Sequence, residues 1–389
     1  MKWYKDLKKY FSDPVLITAW ILAVVSSFFV FPDSKYIDYI DFKSLGMLWG
    51  LMIVVQGMSD NGVFEIIGNV LLNHTKKSWQ LVAVFVFISF FSAMLITNDV
   101  ALITFIPFAI TILSDCDRED LLIPVVVLQT VAANLGSMFT PIGNPQNIYL
   151  YGISEMELQD FIMITLPYTL TAMVLLAVSL LFLPGKNMEL RGHISEQNNF
   201  NSQYGKKTLP VYLVLFGLGI FVMLHTIPMK IFILSVLTGE VLIRVIRLCK
   251  GGRKSGLLRP KADYILLMTF IGFFIFTGNI TRIGKIYNIL EMLIKGRELI
   301  TAVTVSQFIS NVPAALLLSR FSENEEALIL GVNLGGLGTL IASMASLISY
   351  KYYVNRVNKD KSKYILTFTA VNVMYLAVLL CERLIFRIG

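Results

Sequence analysis

Long apolar stretches recur along this chain and constrain its fold more than any other feature. Of its 389 residues, 56% are hydrophobic and 15% are charged, whereas a soluble domain carries about a quarter charged residues. Several stretches approach the roughly 20 residues that a helix needs to cross a bilayer. They predict an all-α, multi-pass integral membrane protein embedded in the lipid bilayer of the cell. The apolar stretches fall at 14–31, 44–58, 79–96, 100–113, 121–153, 160–184, 209–226, 228–248, 263–280, 327–350 and 364–387.

The basic residues lie mainly in the loops between these stretches. The net charge of +7 therefore reflects membrane topology and does not indicate a nucleic-acid partner. Four lysines occur in the first 13 residues, and the following apolar run ends in "FFVFPDS" without a small-residue cleavage site. This pattern predicts an uncleaved first helix with a cytoplasmic N-terminus. Widely spaced Cys116, Cys249 and Cys381 indicate neither a metal site nor a disulfide framework.

The two halves of the chain present the same features in the same order. Each has a span, an amphipathic piece, an apolar hairpin with Asn at its tip, a Gly-broken helix and a final span. Asn98 in "ITND" matches Asn311 in "ISNV", an offset of 213 residues (311 − 98). The segment "ANLGSMFTPIGNPQN" (133–147) likewise matches "VNLGGLGTLIASMAS" (332–346). These matches predict an internal repeat.

Loop charges predict how the two repeats are oriented. If both hairpins return to the side they entered from, the basic loops all fall in the cytoplasm and the acidic "SENEE" falls outside. The second span then runs inward and its counterpart at 263–280 runs outward. The expected architecture is two inverted repeats, each with a re-entrant hairpin and a Gly-broken helix. Its parts are 1–184 (first repeat with the N-terminal helix), 185–227 (cytoplasmic loop and linking helix) and 228–389 (second repeat).

Paired helix breaks in inverted repeats favour a secondary transporter. A broken helix leaves unpaired N–H groups at one half-helix and unpaired C=O groups at the other. The N–H groups favour an anion, and the carbonyls with Asn and Thr oxygens favour a small hard cation such as Na⁺. We expect a small anionic substrate, Na⁺ or H⁺ as the coupling ion, and no cofactor. The candidate binding residues are Thr97, Asn98, Asp99, Gly143, Asn144, Asn147, Ser310, Asn311, Gly338, Thr339 and Ser343, with a Na⁺ near Asn98, Asp99 and Asn311.

Other interpretations of these residues stay open. Any one glycine can serve helix packing, and a single Asn in a membrane helix can be an interhelical hydrogen bond. Asp99 could bind Na⁺, carry a proton or cap the second hairpin arm. The sequence contains no P-loop, so it gives no indication that ATP drives the protein. An intramembrane hydrolase would need a base at membrane depth, and the three histidines lie in loops or at span ends, so an enzyme is not predicted. A scaffold or receptor role leaves the matching breaks unexplained.

Over residues 14–387 the chain resembles the ion transporter superfamily, in the branch of citrate-transporter-like proteins, arsenite permeases and sodium/dicarboxylate symporters. "TNDVALITFIPFAI" is similar to the hairpin segment of that branch, "TPIGNPQN" (140–147) to its Gly-Pro-Asn signature, and "NLGGLGTLIASMAS" to the second-repeat form. The resemblance implies that the hairpin tips hold substrate carboxylates with Na⁺ beside them, and that the protein is a homodimer.

The dicarboxylate symporters have Ser-Asn-Thr at each tip. Here the tips read Thr97-Asn98-Asp99 and Ser310-Asn311-Val312, so the Ser/Thr-Asn pair carries over and the third Thr does not. The expected function is secondary transport of citrate or a dicarboxylate. Because Asp99 adds a negative charge beside an anion site, the alternatives are efflux of arsenite or a similar oxyanion, or Na⁺/H⁺ antiport.

Overall fold

In the computed structural model the described parts of the chain are α-helical, without β-strands. The described residues are 14–63, 66, 75–154, 156–185, 187–188, 205–224, 226–249, 262–357 and 360–386. Their helices are α1 (Pro14–Ser27), α2 (Lys35–Tyr39), α3 (Phe42–Asp60), α4 (Ser78–Leu95), α5 (Asn98–Asp115), α6 (Leu122–Ser137), α7 (Pro145–Ile153), α8 (Leu158–Ser179), α9 (Gly205–Met223), α10 (Met229–Cys249), α11 (Tyr264–Arg282), α12 (Gly284–Ile294), α13 (Glu298–Ile309), α14 (Asn311–Leu318), α15 (Glu325–Leu334), α16 (Met344–Arg356) and α17 (Lys361–Phe386).

Seven helices within the described ranges are long and apolar enough to cross a membrane. They differ in how much of their surface the protein covers. The segment Glu119–Ser137, which contains α6, is 89% buried, whereas α8 and α17 are 33% and 28% buried over their most apolar windows. Helix α6 therefore lies at the centre of the molecule, and the exposed apolar faces of α8 and α17 suit contact with lipid chains. The protein is an integral, multi-pass membrane protein.

Both helix breaks expected from the sequence are present. The first separates α6 from α7 between residues 137 and 145, and the second separates α15 from α16 between residues 334 and 344. Both second half-helices begin with a recognised signal. Asn144 caps α7 by accepting a hydrogen bond from the Asn147 N–H at 2.9 Å, and Pro145 takes the first helical position, where its missing N–H costs nothing. At the second break, Ser343 is the N-cap residue of α16, although its side chain makes no capping bond.

The two hairpins are α4–α5 and α13–α14, each with a bend of a few residues at its Asn tip. Each first arm packs on the broken helix of its own half, α4 on α6 and α13 on α15. The second half-helices pack on the opposite half: α7 contacts α14, and α16 contacts α5. This exchange brings the tips and the breaks of both halves to one place.

Several sequence predictions concern parts of the chain outside the described residues. They include most of the amphipathic piece at 63–73, most of the loop 185–208, the basic loop 249–261 and the N-terminal lysines. The inverted orientation of the repeats, the re-entrant course of the hairpins, the domain limits and the cytoplasmic N-terminus stay predictions.

Candidate functional site

Each hairpin tip is bonded to the turn inside the broken helix of its own half. The Asn98 N–H donates to the Gly143 carbonyl at 3.1 Å, and the Asn311 N–H donates to the Ala342 carbonyl at 2.9 Å. Gly143 and Ala342 are equivalent positions, since both lie directly before the N-cap of the second half-helix. The same bond therefore occurs twice and fixes each tip against the start of α7 or α16.

A threonine in each break repeats a second bond. Thr140 Oγ1 donates to the Met94 carbonyl, and Thr339 Oγ1 donates to the Gln307 carbonyl at 3.2 Å. Met94 and Gln307 each stand four residues before the tip Asn. The hairpin and the break thus keep one relative geometry in both halves, which supports the internal repeat predicted from the sequence.

The two breaks are also bonded to each other, in a reciprocal way. The Asn144 amide donates from Nδ2 to Asn333 Oδ1 at 2.9 Å. In the mirrored contact, Ser343 Oγ donates to Asn134 Oδ1 at 3.1 Å. Asn134 and Asn333 are equivalent, as are Asn144 and Ser343, at an offset of 199 residues (333 − 134). A contact in which i meets j and j meets i is what a twofold relation between two units produces.

The first hairpin tip joins this network through its side chain. Asn98 donates from Nδ2 to Asn134 Oδ1 at 3.0 Å, and Asn134 in turn donates to the Gly336 carbonyl at 3.4 Å. The second tip lies against the same turn, because a Cβ placed on Gly336 would be 2.9 Å from Asn311 Nδ2. Both tip asparagines are buried. The structure therefore brings Asn98, Asn311 and both breaks together.

Asn147 closes the network at the first break. Its Oδ1 accepts a 2.7 Å bond from Asn333 Nδ2, and its own amide approaches the carbonyls of Ser137, Met138 and Thr140 at 3.2–3.4 Å. Asn147 is fully buried. It holds the first half-helix against the second, so that the break keeps a defined shape.

Asp99 lies in the first turn of α5 and has no acidic counterpart. Its N–H donates to Asn98 Oδ1 at 2.9 Å, and its own Oδ1 is buried without a hydrogen-bond partner among the described residues. The N-cap position of α5 is Thr97, which is half-buried and makes no side-chain capping bond. The positive end of a helix stabilises a carboxylate at this position, and a carboxylate oxygen without a protein partner is a candidate ligand for a cation or a proton.

The side chain of Gln307, on α13, bonds to the backbone of the second break. Its Nε2 donates to the carbonyls of Gly335 and Leu337 at 3.0 and 2.9 Å, and its Oε1 accepts from the Thr339 N–H at 2.9 Å. Gly338 has a φ of +110°, and a Cβ there would lie 2.3 Å from Gln307 Oε1. Both constraints require glycine at this position.

Ser310 forms the bend of the second hairpin. Its φ is +74°, a conformation that a non-glycine residue rarely adopts. Backbone of this kind persists where the surrounding contacts impose it, and it is frequent in ligand-binding regions. Among the described residues no group of three or more His, Cys, Asp or Glu side chains is placed to hold a metal ion, so a cation here would rely on neutral oxygens and Asp99.

Sequence reasoning placed the tips and the breaks but missed three residues that hold them together: Asn134, Asn333 and Gln307. The roles of Asn134 and Asn333 could have been predicted, because the two residues stand at matched positions in the repeated segments "ANLGS" and "VNLGG". Gln307 had no such signal, since its counterpart in the first half is Met94.

Comparison with known proteins places this arrangement in context. The family model described as citrate transporter matches residues 11–323. An uncharacterized transporter from Methanocaldococcus jannaschii is 32% identical over 350 residues, which cover 89% of this chain and 90% of that protein. The inner membrane protein YbiR of Escherichia coli is 28% identical over 340 residues, or 85% of each chain. A silicon efflux transporter from Oryza sativa is 27% identical over 157 residues, which cover 40% of this chain and 32% of that protein.

Proposed function

The chain belongs to the citrate transporter family, so it is a membrane transporter and not an enzyme, and we propose that it is a secondary active transporter of a small carboxylate anion. Citrate or a dicarboxylate is the substrate class, and Na⁺ or H⁺ is the coupling ion. In this proposal the transporter acts as a homodimer.

The observation that carries the proposal is the meeting of four helix N-termini. Helices α5 and α14 begin at the tip asparagines. Helices α7 and α16 begin two residues after Gly143 and Ala342, whose carbonyls accept from those tips, with only the N-cap between. The reciprocal bonds between Asn144 and Asn333 and between Ser343 and Asn134 join the two pairs. Helix N-termini present free N–H groups and a positive partial charge, which bind anionic groups such as carboxylates.

The same place also collects helix C-termini. Helices α4, α6, α13 and α15 end at Leu95, Ser137, Ile309 and Leu334. Carbonyl groups left free at such ends, with side-chain amide oxygens, coordinate small hard cations. An anion site beside a cation site is the arrangement by which a transporter couples the two solutes.

The test is uptake of labelled citrate and labelled succinate into proteoliposomes, with and without an inward Na⁺ gradient and separately with an inward proton gradient. Asn98→Ala and Asn311→Ala should abolish gradient-dependent uptake. Asn372→Ala is the matched control, because Asn372 is equally buried but bonds to its own helix, at Phe368. Normal uptake by purified, folded Asn98→Ala or Asn311→Ala protein would refute the site.

A second candidate is efflux of a small inorganic oxyacid or its anion, arsenite being one example. Two observations favour it. The relative from Oryza sativa is named a silicon efflux transporter, and the Asp99 carboxylate would repel a di- or tricarboxylate bound beside it. Counterflow of labelled arsenite and of silicic acid in the same proteoliposomes separates the two. Transport of an oxyacid without transport of citrate or succinate would favour efflux.

A proton flux driven by a Na⁺ gradient, without movement of any anion, would indicate Na⁺/H⁺ antiport. A pH-sensitive dye inside the same proteoliposomes measures that flux.

A further inference from the structure

The two helix breaks are built alike, but their carbonyl groups have different partners. In the second break, the Gln307 amide holds the carbonyl oxygens of Gly335 and Leu337 with bonds of 3.0 and 2.9 Å. A third bond of 3.1 Å ties it to Val303 of its own helix. An amide NH₂ carries two hydrogens with partial positive charge. It therefore supplies to these oxygens the attraction that a bound cation would otherwise supply.

The first break has no amide at the position equivalent to Gln307. The counterparts of Gly335 and Leu337 are Gly136 and Met138, and the counterpart of Gln307 is Met94, whose thioether has no hydrogen to donate. The Gly136 oxygen accepts a 3.1 Å bond from the Phe139 N–H. The Asn147 amide lies 3.4 Å from the Met138 carbonyl, beyond the usual range of about 2.7–3.2 Å for such bonds. The Met138 oxygen is therefore held less strongly than the Leu337 oxygen.

A second difference between the halves points in the same direction. The first hairpin tip carries Asp99, whose buried Oδ1 has no partner among the described residues, whereas the second carries Val312. Among the described ion pairs none includes Asp99. The hairpin tip beside the break without Gln307 thus has a carboxyl group with an unpartnered oxygen, and the other tip has an apolar valine. Burial of an ionised carboxylate is unfavourable unless the group binds a cation or takes up a proton.

We propose that the Gln307 amide takes the place of a cation in the second break, and that the transporter binds a single coupling Na⁺ at the first break, beside Asp99. This inference rests on the cation coupling of the proposed function and gives it a site and a stoichiometry. Gln307 fixes how many cations are bound, since it blocks the oxygens that a second Na⁺ would need.

Exchanging the two residues tests the inference. Binding of ²²Na⁺ to the purified protein should show one Na⁺ per chain. Met94→Gln places an amide at the first break and should weaken Na⁺ binding by about tenfold or more. Met94→Leu is the matched control: its volume is similar and it has no donor, so it should keep the affinity of the parent protein. Gln307→Met frees the oxygens of the second break and should add a second, weaker Na⁺ site.

Thermal unfolding in choline chloride shows which variants are folded. If Gln307→Met does not fold, the comparison of Met94→Gln with Met94→Leu still decides the matter. The inference is wrong if these two variants bind Na⁺ equally well, or if the parent protein binds two Na⁺ or none.

Uptake assays separate this inference from the proposed function. Citrate uptake driven by a proton gradient, in protein that binds no Na⁺, would overturn the inference and leave carboxylate transport standing. Single-site Na⁺ binding that responds to Met94→Gln, with neither acid transported, would support the inference and overturn the substrate class.

Discussion

Asn333 joins the two helix breaks, so its truncation should destabilise the protein strongly. The side chain is 2% exposed. It donates to Asn147 Oδ1 at 2.7 Å, donates to the Ile329 carbonyl at 2.8 Å, and accepts from Asn144 Nδ2 at 2.9 Å. Asn333→Ala removes all three bonds, two of which cross between the halves.

The size of the effect follows from what the lost bonds leave behind. Asn147 Oδ1 would become a buried acceptor without a donor, which costs about 1–3 kcal/mol. Asn144 Nδ2 would lose its bond to Asn333 but keep its 3.2 Å bond to Ser137 Oγ. Because the group stays hydrogen-bonded, losing the bond to Asn333 costs about 0.5–1.5 kcal/mol. The expected destabilisation is about 2–4 kcal/mol. Interhelical bonds in membrane proteins average about 0.6 kcal/mol, and an effect of that size would mean that the network relaxes around the gap.

The assay is the free energy of unfolding in mixed micelles titrated with a denaturing detergent. Asn372→Ala is the control, because Asn372 is also fully buried, makes one bond to its own helix, and has an Oδ1 without a partner among the described residues. Its truncation should change the free energy of unfolding by less than about 1 kcal/mol. Equal losses for the two variants would refute the reasoning that bonds between the breaks hold the site together.

Substitutions at two further positions, Gly143 in the first break and Arg118 after α5, test contacts that hold the fold, and each has a comparison variant. Gly143→Ala would place a Cβ 2.1 Å from the Ser137 carbonyl oxygen. The clash should lower the free energy of unfolding by about 3 kcal/mol and abolish uptake. A Cβ at Gly217 would meet no atom within 4 Å, so Gly217→Ala should be neutral or slightly stabilising in a thermal melt. Arg118 is 6% exposed. It bonds to Ser78 Oγ and to the carbonyls of Pro184 and Gly185, which follow α8. Arg118→Ala should therefore lower stability by about 2–4 kcal/mol, and Arg118→Lys should recover less than half of that in the same melt, because an ammonium lacks the planar set of donors.

The sequence predicted the helical class, the spans and both helix breaks, because each depends on local chemistry. Apolar length decides whether a helix can span a membrane. The Asn-Pro pair at 144–145 decides where a helix begins, and the glycines around 335–338 decide where one stops. The matched segments "ANLGS" and "VNLGG" also indicated that the two halves would be built alike. The shared bonds of Asn98 and Asn311 agree with that expectation.

The sequence could not show which polar groups satisfy one another. Asn134 and Asn333 are single residues in apolar helices, and their partners lie 209 and 189 positions away along the chain, at Ser343 and Asn144. A hydrogen bond depends on distance and direction, and two helices far apart in sequence acquire these only when they pack.

By itself, then, the sequence determined a multi-pass helical transporter with repeated polar breaks, since length, apolarity and helix-stopping residues act locally. The tertiary structure alone decided that the Gln307 amide bonds carbonyls of the second break and that an oxygen of Asp99, on the first hairpin tip, has no partner among the described residues. Those facts arise from packing between segments, because a carbonyl or a carboxylate is free or occupied only with respect to the groups that the fold brings within bonding distance.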